Sequence, residues 1–253
     1  MAEGYIKTTH PTPAIAEITF FHPKHNSLPG HLLAELKAAI ESCGTDVATQ
    51  VIILKSGGDR TFCAGASFDE LIAINDPATG KEFFQGFAGV INACRKCPRI
   101  IIGRIQGKAV GGGVGIAAAV DYCLATKYAS VKLSELNIGI GPFVIGPAVE
   151  RKIGGAAFSQ LALNANVFQS AQWAREKGLY AEVHDSAEAL DEATVTLAQY
   201  LVSTNPEAQR SLKKIFWEGT DHWDRLLEER AAMSGQLVLS AYTKEVLKNY
   251  GQS

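Results

Sequence analysis

Apolar positions along the chain recur with two periods, one near two residues and one near three and a half. Ile15–Phe21 alternates loosely between apolar and polar side chains, which predicts a strand. Leu32, Leu33, Leu36 and Ile40 share one stripe of a helical repeat, predicting an amphipathic helix over residues 32–43. Residues 50–55 and 99–105 are short continuous apolar runs, the pattern of strands buried on both faces. Further strands are expected over 121–125 and 130–133. Helices are expected over 68–74, 81–96, 111–119, 147–153 and 171–177.

The pattern then changes. Up to about residue 185, glycine-rich turns separate short runs of both kinds. Beyond that point, helices over 190–203 and 206–218 and a helical pair across 223–249 fill the chain. Alternation of strand and helix implies crossover units and an α/β layered core. The expected organisation is a core over residues 1–189 and a C-terminal helical region over 190–253. No internal repeat or low-complexity linker interrupts it.

Composition fits this picture. The chain has 253 residues, 47% of them apolar, so one sizeable core can be buried. A net charge of −2 argues against a nucleic-acid partner, which calls for a basic excess. The short basic stretches Arg95-Lys96 and Lys213-Lys214 read as solvated helix faces. No run approaches the length of a membrane span, and the polar residues 1–9 lack the apolar stretch of a secretory signal. Five cysteines form no disulfide framework, which predicts reduced thiols and a cytoplasmic location. Cys94 and Cys97 make a CxxC, but it closes a helical stretch before Pro98 and lacks a second ligand pair, so no metal is expected.

Two strand-to-helix junctions carry candidate chemistry. The first is Phe62-Cys63-Ala64-Gly65-Ala66-Ser67-Phe68. The second is Gln106-Gly107-Lys108-Ala109-Val110-Gly111-Gly112-Gly113-Val114-Gly115. Small residues at such junctions let a ligand approach the backbone, and free N–H groups at a helix start favour negative charge. Gly113-x-Gly115-x-x-Ala118 also fits a permissive dinucleotide fingerprint. The strand that follows ends at Thr126-Lys127, where an acidic residue should meet the ribose. Gly65-Ala66-Ser67-Phe68-Asp69 nearly makes a nucleophile elbow around Ser67, but Asp69 stands where the final glycine should.

Together and in this order, the two junctions resemble the crotonase (enoyl-CoA hydratase/isomerase) superfamily. Pro23-Lys24-His25-Asn26-Ser27-Leu28 is similar to its N-terminal element. Ser134-Glu135 and Ile138-Gly139 resemble its carboxylate segment, and Ala171, Ala174, Gly178 and Leu179 a later helix. The resemblance covers residues 15–216. It implies a spiral of ββα units that binds an acyl-CoA thioester as substrate, without a cofactor. By position, the N–H groups of Ala66 and Gly112 would hold the thioester oxygen as it gains enolate charge, a contribution of roughly 3–4 kcal/mol per donor. Glu135 would move the proton. Lys24, Ala64, Gly65 and Gly111 would line the CoA path, and Phe216 falls where the family places an acyl- or CoA-facing aromatic. A homotrimer or a dimer of trimers is the implied assembly.

One position departs from the hydratase pattern. The family's usual first glutamate is replaced by Gly115. Two carboxylates let one activate water while the other delivers a proton, whereas one suffices for a proton shuttle within the substrate. The loop from Ser134 to Pro147, with Pro142 and Phe143, resembles hydratases of the methylglutaconyl-CoA type. Phe143 is expected to narrow the acyl pocket, and Gly115 to leave space for a substrate branch or a water. The leading expectation is an enoyl-CoA hydratase, with a branched acyl group as one candidate substrate. The alternatives are a Δ3,Δ2-enoyl-CoA isomerase and a weakly catalytic acyl-CoA-binding or RNA-associated member.

Overall fold

Backbone hydrogen bonding sorts the strands into two sheets that the chain visits in turn. The computed structural model describes residues 4–250. The first half comprises β1 (Tyr5–Thr12), β2 (Ile15–Phe21), α1 (Gly30–Thr45), β3 (Val51–Ser56), β4 (Thr61–Cys63), α2 (Phe68–Ala73), α3 (Pro77–Lys96), β5 (Ile100–Ile105), β6 (Lys108–Val110) and α4 (Gly112–Ala119). The second comprises β7 (Tyr122–Thr126), β8 (Val131–Lys132), a 3-10 turn (Glu135–Ile138), α5 (Gly146–Leu163), α6 (Ala171–Glu176), β9 (Glu182–His184), α7 (Ala187–Val202), α8 (Pro206–Phe216), α9 (Trp223–Leu237) and α10 (Ala241–Tyr250).

The larger sheet has the order β1-β2-β3-β5-β7-β9 and the smaller one β4-β6-β8. Three successive turns, starting at β3, β5 and β7, each give one strand to the larger sheet, one short strand (β4, β6 or β8) to the smaller sheet, and then helix. This is the ββα spiral expected, with the helical region at its C-terminal end. The smaller sheet is parallel, so the loops leaving β4, β6 and β8 emerge at the same edge, side by side. That arrangement positions the site.

Alternation along the continuous apolar strands explains why they are buried on both faces. Ile52, Leu54 and Ile101 point into the main core against α1 and α3. Val51, Ile53, Ile102 and Leu124 point the other way and meet Leu190 and Ala198 of α7. Gly80 of α3 and Gly235 of α9 let these two helices touch, because a Cβ on Gly80 would come 2.8 Å from the Gly235 Cα.

Several expectations change. Residues 5–12 form β1, antiparallel to β2, where polarity gave no strand signal. Its mostly exposed, polar side chains are those of an edge strand. The strands β4, β6 and β9 are three residues long, too short to display a period. The helix expected over 147–153 is α5, which continues past a kink at Gly154, φ 76°, to Leu163. The basic stretches are not simply solvated. Lys213 is buried in a 2.5 Å ion pair with Asp121, and the largely buried Arg95 pairs with Asp224 and bonds to the Thr220 carbonyl. Cys94 and Cys97 are free, buried thiols, and burial pushes the Cys94 thiol up to about 12.

Candidate active site

The first loop, Ala64 to Ser67, is clasped by the segment from Pro23 to Leu28. The Ala64 N–H donates to the His25 carbonyl, the Leu28 N–H to the Gly65 carbonyl, and the Ser67 N–H to the Leu28 carbonyl, at 2.8–3.2 Å. His25 and Asn26 adopt left-handed backbone with φ of 53° and 57°. The buried Asn26 amide donates to the carbonyls of Gly57 and Thr61, both at 2.8 Å. This explains the asparagine of that motif: it ties the turn to the strand ends beneath it. Ser67 caps α2 by accepting from the Glu70 N–H at 3.4 Å, so its hydroxyl has a structural use.

Glycines bring the second loop against the first. Gly65 has φ 90°, and a Cβ there would lie 3.1 Å from the Val110 oxygen and 3.4 Å from the Gly112 nitrogen. Gly111 has φ 52°, and its Cβ would lie 2.9 Å from Glu135 Oε1. A Cβ on Gly112 would strike the Phe87 ring, and one on Gly113 the Cys63 carbonyl. The run is therefore a close-packing device. Gly113 and Gly115 sit in the fully buried body of α4, which removes the dinucleotide reading. Among the described residues, the N–H groups of Ala66 and Gly112 donate to no protein acceptor. Gly112 opens α4, so its N–H also lies at the positive end of that helix.

The third loop supplies the carboxylate. Glu135 opens the 3-10 turn immediately after β8, and Gly139, with φ 79°, ends that turn. Asn137 anchors it by donating to the Ala165 carbonyl at 3.0 Å. The residue is half-buried, but its Oε2 is sealed from solvent and has no hydrogen-bond partner. Burial pushes the carboxyl from its ordinary 4.5 up to about 7, opposed by backbone N–H groups of Glu135 and Ser134.

The three loops meet at a cavity of about 470 Å³. Its wall brings together Ala64, Gly65, Ala66, Gly111, Gly112, Glu135, Pro142 and Phe143 of the expected site residues. Three others lie elsewhere. Lys24 is exposed and paired with Asp69 on α2. Phe216 is 44% exposed on α8 and does not line the cavity. Gly115 is buried beneath Ile145, whose side chain takes the space expected for a branch or water. Sequence reasoning missed the apolar wall, made by Phe83, Phe84 and Phe87 of α3 with Leu71, Ile138 and Ile140. The aromatic spacing on α3 was a usable signal for it. Ser234 of α9 and Lys132 of β8 also line the cavity.

Such a site can hold a developing oxyanion between two N–H donors beside a carboxylate poised to exchange a proton near neutral pH. Among the described residues, no group of three or more His, Cys, Asp or Glu is arranged to hold a metal, and no helix is long and apolar enough to cross a membrane.

The chain is similar to known proteins. A family model described as enoyl-CoA hydratase/isomerase matches residues 11–250. The mitochondrial methylglutaconyl-CoA hydratase of Rattus norvegicus is 30% identical over 200 residues, covering 78% of this chain and 63% of that protein. The peroxisomal Delta(3,5)-Delta(2,4)-dienoyl-CoA isomerase of Arabidopsis thaliana is 29% identical over 209 residues, covering 76% of this chain and 73% of that one. An enoyl-CoA hydratase structure from Bacillus halodurans superposes with a TM-score of 0.89 at 21% identity, covering 97% and 99% of the two chains.

Proposed function

The chain belongs to the enoyl-CoA hydratase/isomerase family, and from that premise we propose that it shifts the double bond of an enoyl-CoA thioester with Glu135 as its single acid–base group. The observation that carries this reading is the Oε2 of Glu135, buried without a partner in a cavity to whose lining the described residues contribute no second carboxylate.

The chemistry follows from the cavity wall. The Glu135 carboxylate takes a proton from the carbon next to the thioester of a 3-enoyl-CoA. The electron pair moves onto the thioester oxygen, where the Ala66 and Gly112 N–H groups stabilise the negative charge. The carboxylic acid then returns the proton at the far end of the dienolate, and the double bond becomes conjugated with the thioester. A carboxyl titrating near 7 is matched to both halves of this exchange. Apolar walls from α3 and from Ile138 and Ile140 keep water away from the enolate.

Hydration is the second reading. The near-neutral titration of Glu135 favours it, since one carboxyl could take a proton from water and pass it to the same carbon. The names of relatives such as methylglutaconyl-CoA hydratase add support. Enoyl-CoA absorbance separates the two. Gain of the conjugated signal from a 3-enoyl-CoA supports isomerisation, and loss of it from a 2-enoyl-CoA supports hydration. No change with either substrate would overturn both.

A further inference from the structure

Among the described residues, two charged ones line the cavity: Glu135, which the proposed chemistry uses, and Lys132, which it does not. Lys132 occupies β8 three residues before Glu135. Its carbonyl accepts from the Gly111 N–H at 2.9 Å, so its main chain adjoins the loop that presents the Gly112 N–H. Its ammonium group lies 4.6 Å from the centroid of the Phe168 ring. The ammonium of Lys108, from the neighbouring strand β6, lies 5.2 Å from the same ring. Pairing of Val131 with Gln169 holds Phe168 beside this edge of β8. Among the described residues, no carboxylate pairs with either lysine. Two like charges converging on one ring without a counter-ion leave an attraction for an anion unfilled.

We infer that Lys132, reinforced by Lys108, recognises a carboxylate on the acyl group, so that the substrate class is an acyl-CoA with an acidic acyl chain. This rests on the acyl-CoA reading above. Reach selects the acyl group over the phosphates of CoA. Lys132 springs from the strand bonded to the oxyanion loop and lines the same cavity as Glu135, whereas the phosphates of CoA are separated from the thioester by the whole pantetheine arm. An ammonium held only by an exposed ring face gives up little in turning to a carboxylate, because a charge-assisted hydrogen bond is the stronger contact. Lys132 is then a specificity-determining residue.

Saturated acyl-CoAs test this apart from turnover, because they have no double bond to move or hydrate. Calorimetric titration of the full chain with glutaryl-CoA and with pentanoyl-CoA compares equal chain lengths with and without the carboxylate. The wild type should bind glutaryl-CoA roughly tenfold more tightly. Lys132→Met should reduce that preference to roughly threefold or less, and Lys132→Arg should keep most of it. Equal wild-type affinity for the two ligands would overturn the inference and leave the proposed function standing. Weakening of both ligands alike in Lys132→Met would assign the charge to CoA itself and also overturn it. A protein that binds neither ligand would contradict the proposed function and the inference together.

Discussion

Ile145 stands over Gly115 so closely that a Cβ on the glycine would lie 2.5 Å from Ile145 Cγ2 and 2.7 Å from its Cβ. The isoleucine therefore occupies the space into which a side chain at position 115 would grow. Gly115→Glu alone is expected to overpack this contact and cost about 1–3 kcal/mol, read as a lowered melting temperature. Pairing it with Ile145→Gly removes both contacting atoms and leaves only the Cα of that residue, at 3.7 Å. The double variant should recover stability and gain hydration relative to isomerisation, measured as the product ratio from matched enoyl-CoA substrates. An unchanged ratio would show that the missing carboxylate does not select the reaction.

Phe87 and Gly112 make a similar pair at the oxyanion loop. An alanine Cβ at 112 would lie 2.2 Å from Phe87 Cε1, so Gly112→Ala should displace the N–H that faces the cavity. Loss of one oxyanion donor predicts a fall in kcat of about 100-fold or more. The obstacle is a side chain, so Phe87→Leu in the same protein should restore part of the rate. Steady-state kinetics of the two variants tests this.

Titration of Glu135 predicts two pH dependences of opposite direction. Proton abstraction needs the carboxylate, so kcat/KM should rise with pH and level off above about 7. Stability should fall over the same range. The folded-state value is raised above 4.5, so between roughly pH 4.5 and 7 the folded protein holds a proton that the unfolded chain releases. This contribution is fully present below about 4.5 and lost above about 7, and it is on the order of 3 kcal/mol. Denaturant unfolding across this range should show the slope in the wild type and a flatter profile in Glu135→Gln.

Asp121 and Lys213 fix α8 to the core. Their side chains are each 3% exposed, and Asp121 also accepts from the Ile101 N–H at 2.8 Å and from Trp217 Nε1 at 3.2 Å. Lys213→Met leaves Asp121 buried without its cation, which predicts a loss of about 3–5 kcal/mol by denaturant unfolding. Lys214→Met, at the exposed neighbouring position, should change stability by less than about 0.5 kcal/mol.

The long elements were legible from the sequence because each repeats its pattern many times. Val51 to Leu54 and Leu32 to Ile40 announce a buried strand and an amphipathic helix through side chains that the structure does bury. The loop glycines were legible as close-approach points. What each one approaches was not, since Phe87, Cys63 and Ile145 come from other elements. The short strands β4 and β6 were harder still, yet their adjacency to β8, expected over 130–133, is what gathers Ala66, Gly112 and Glu135. Lys213 shows the same limit. Its charge suggested solvent, and only the fold brings Asp121 to meet it.

The central claim is that Glu135 alone moves the proton. Its most direct test compares wild type and Glu135→Gln for conversion of a 3-enoyl-CoA into its conjugated isomer, with acyl-CoA affinity measured on the same samples. The account predicts a rate reduced by about 100- to 10,000-fold with affinity retained. A Glu135→Gln variant that isomerises at the wild-type rate would contradict it.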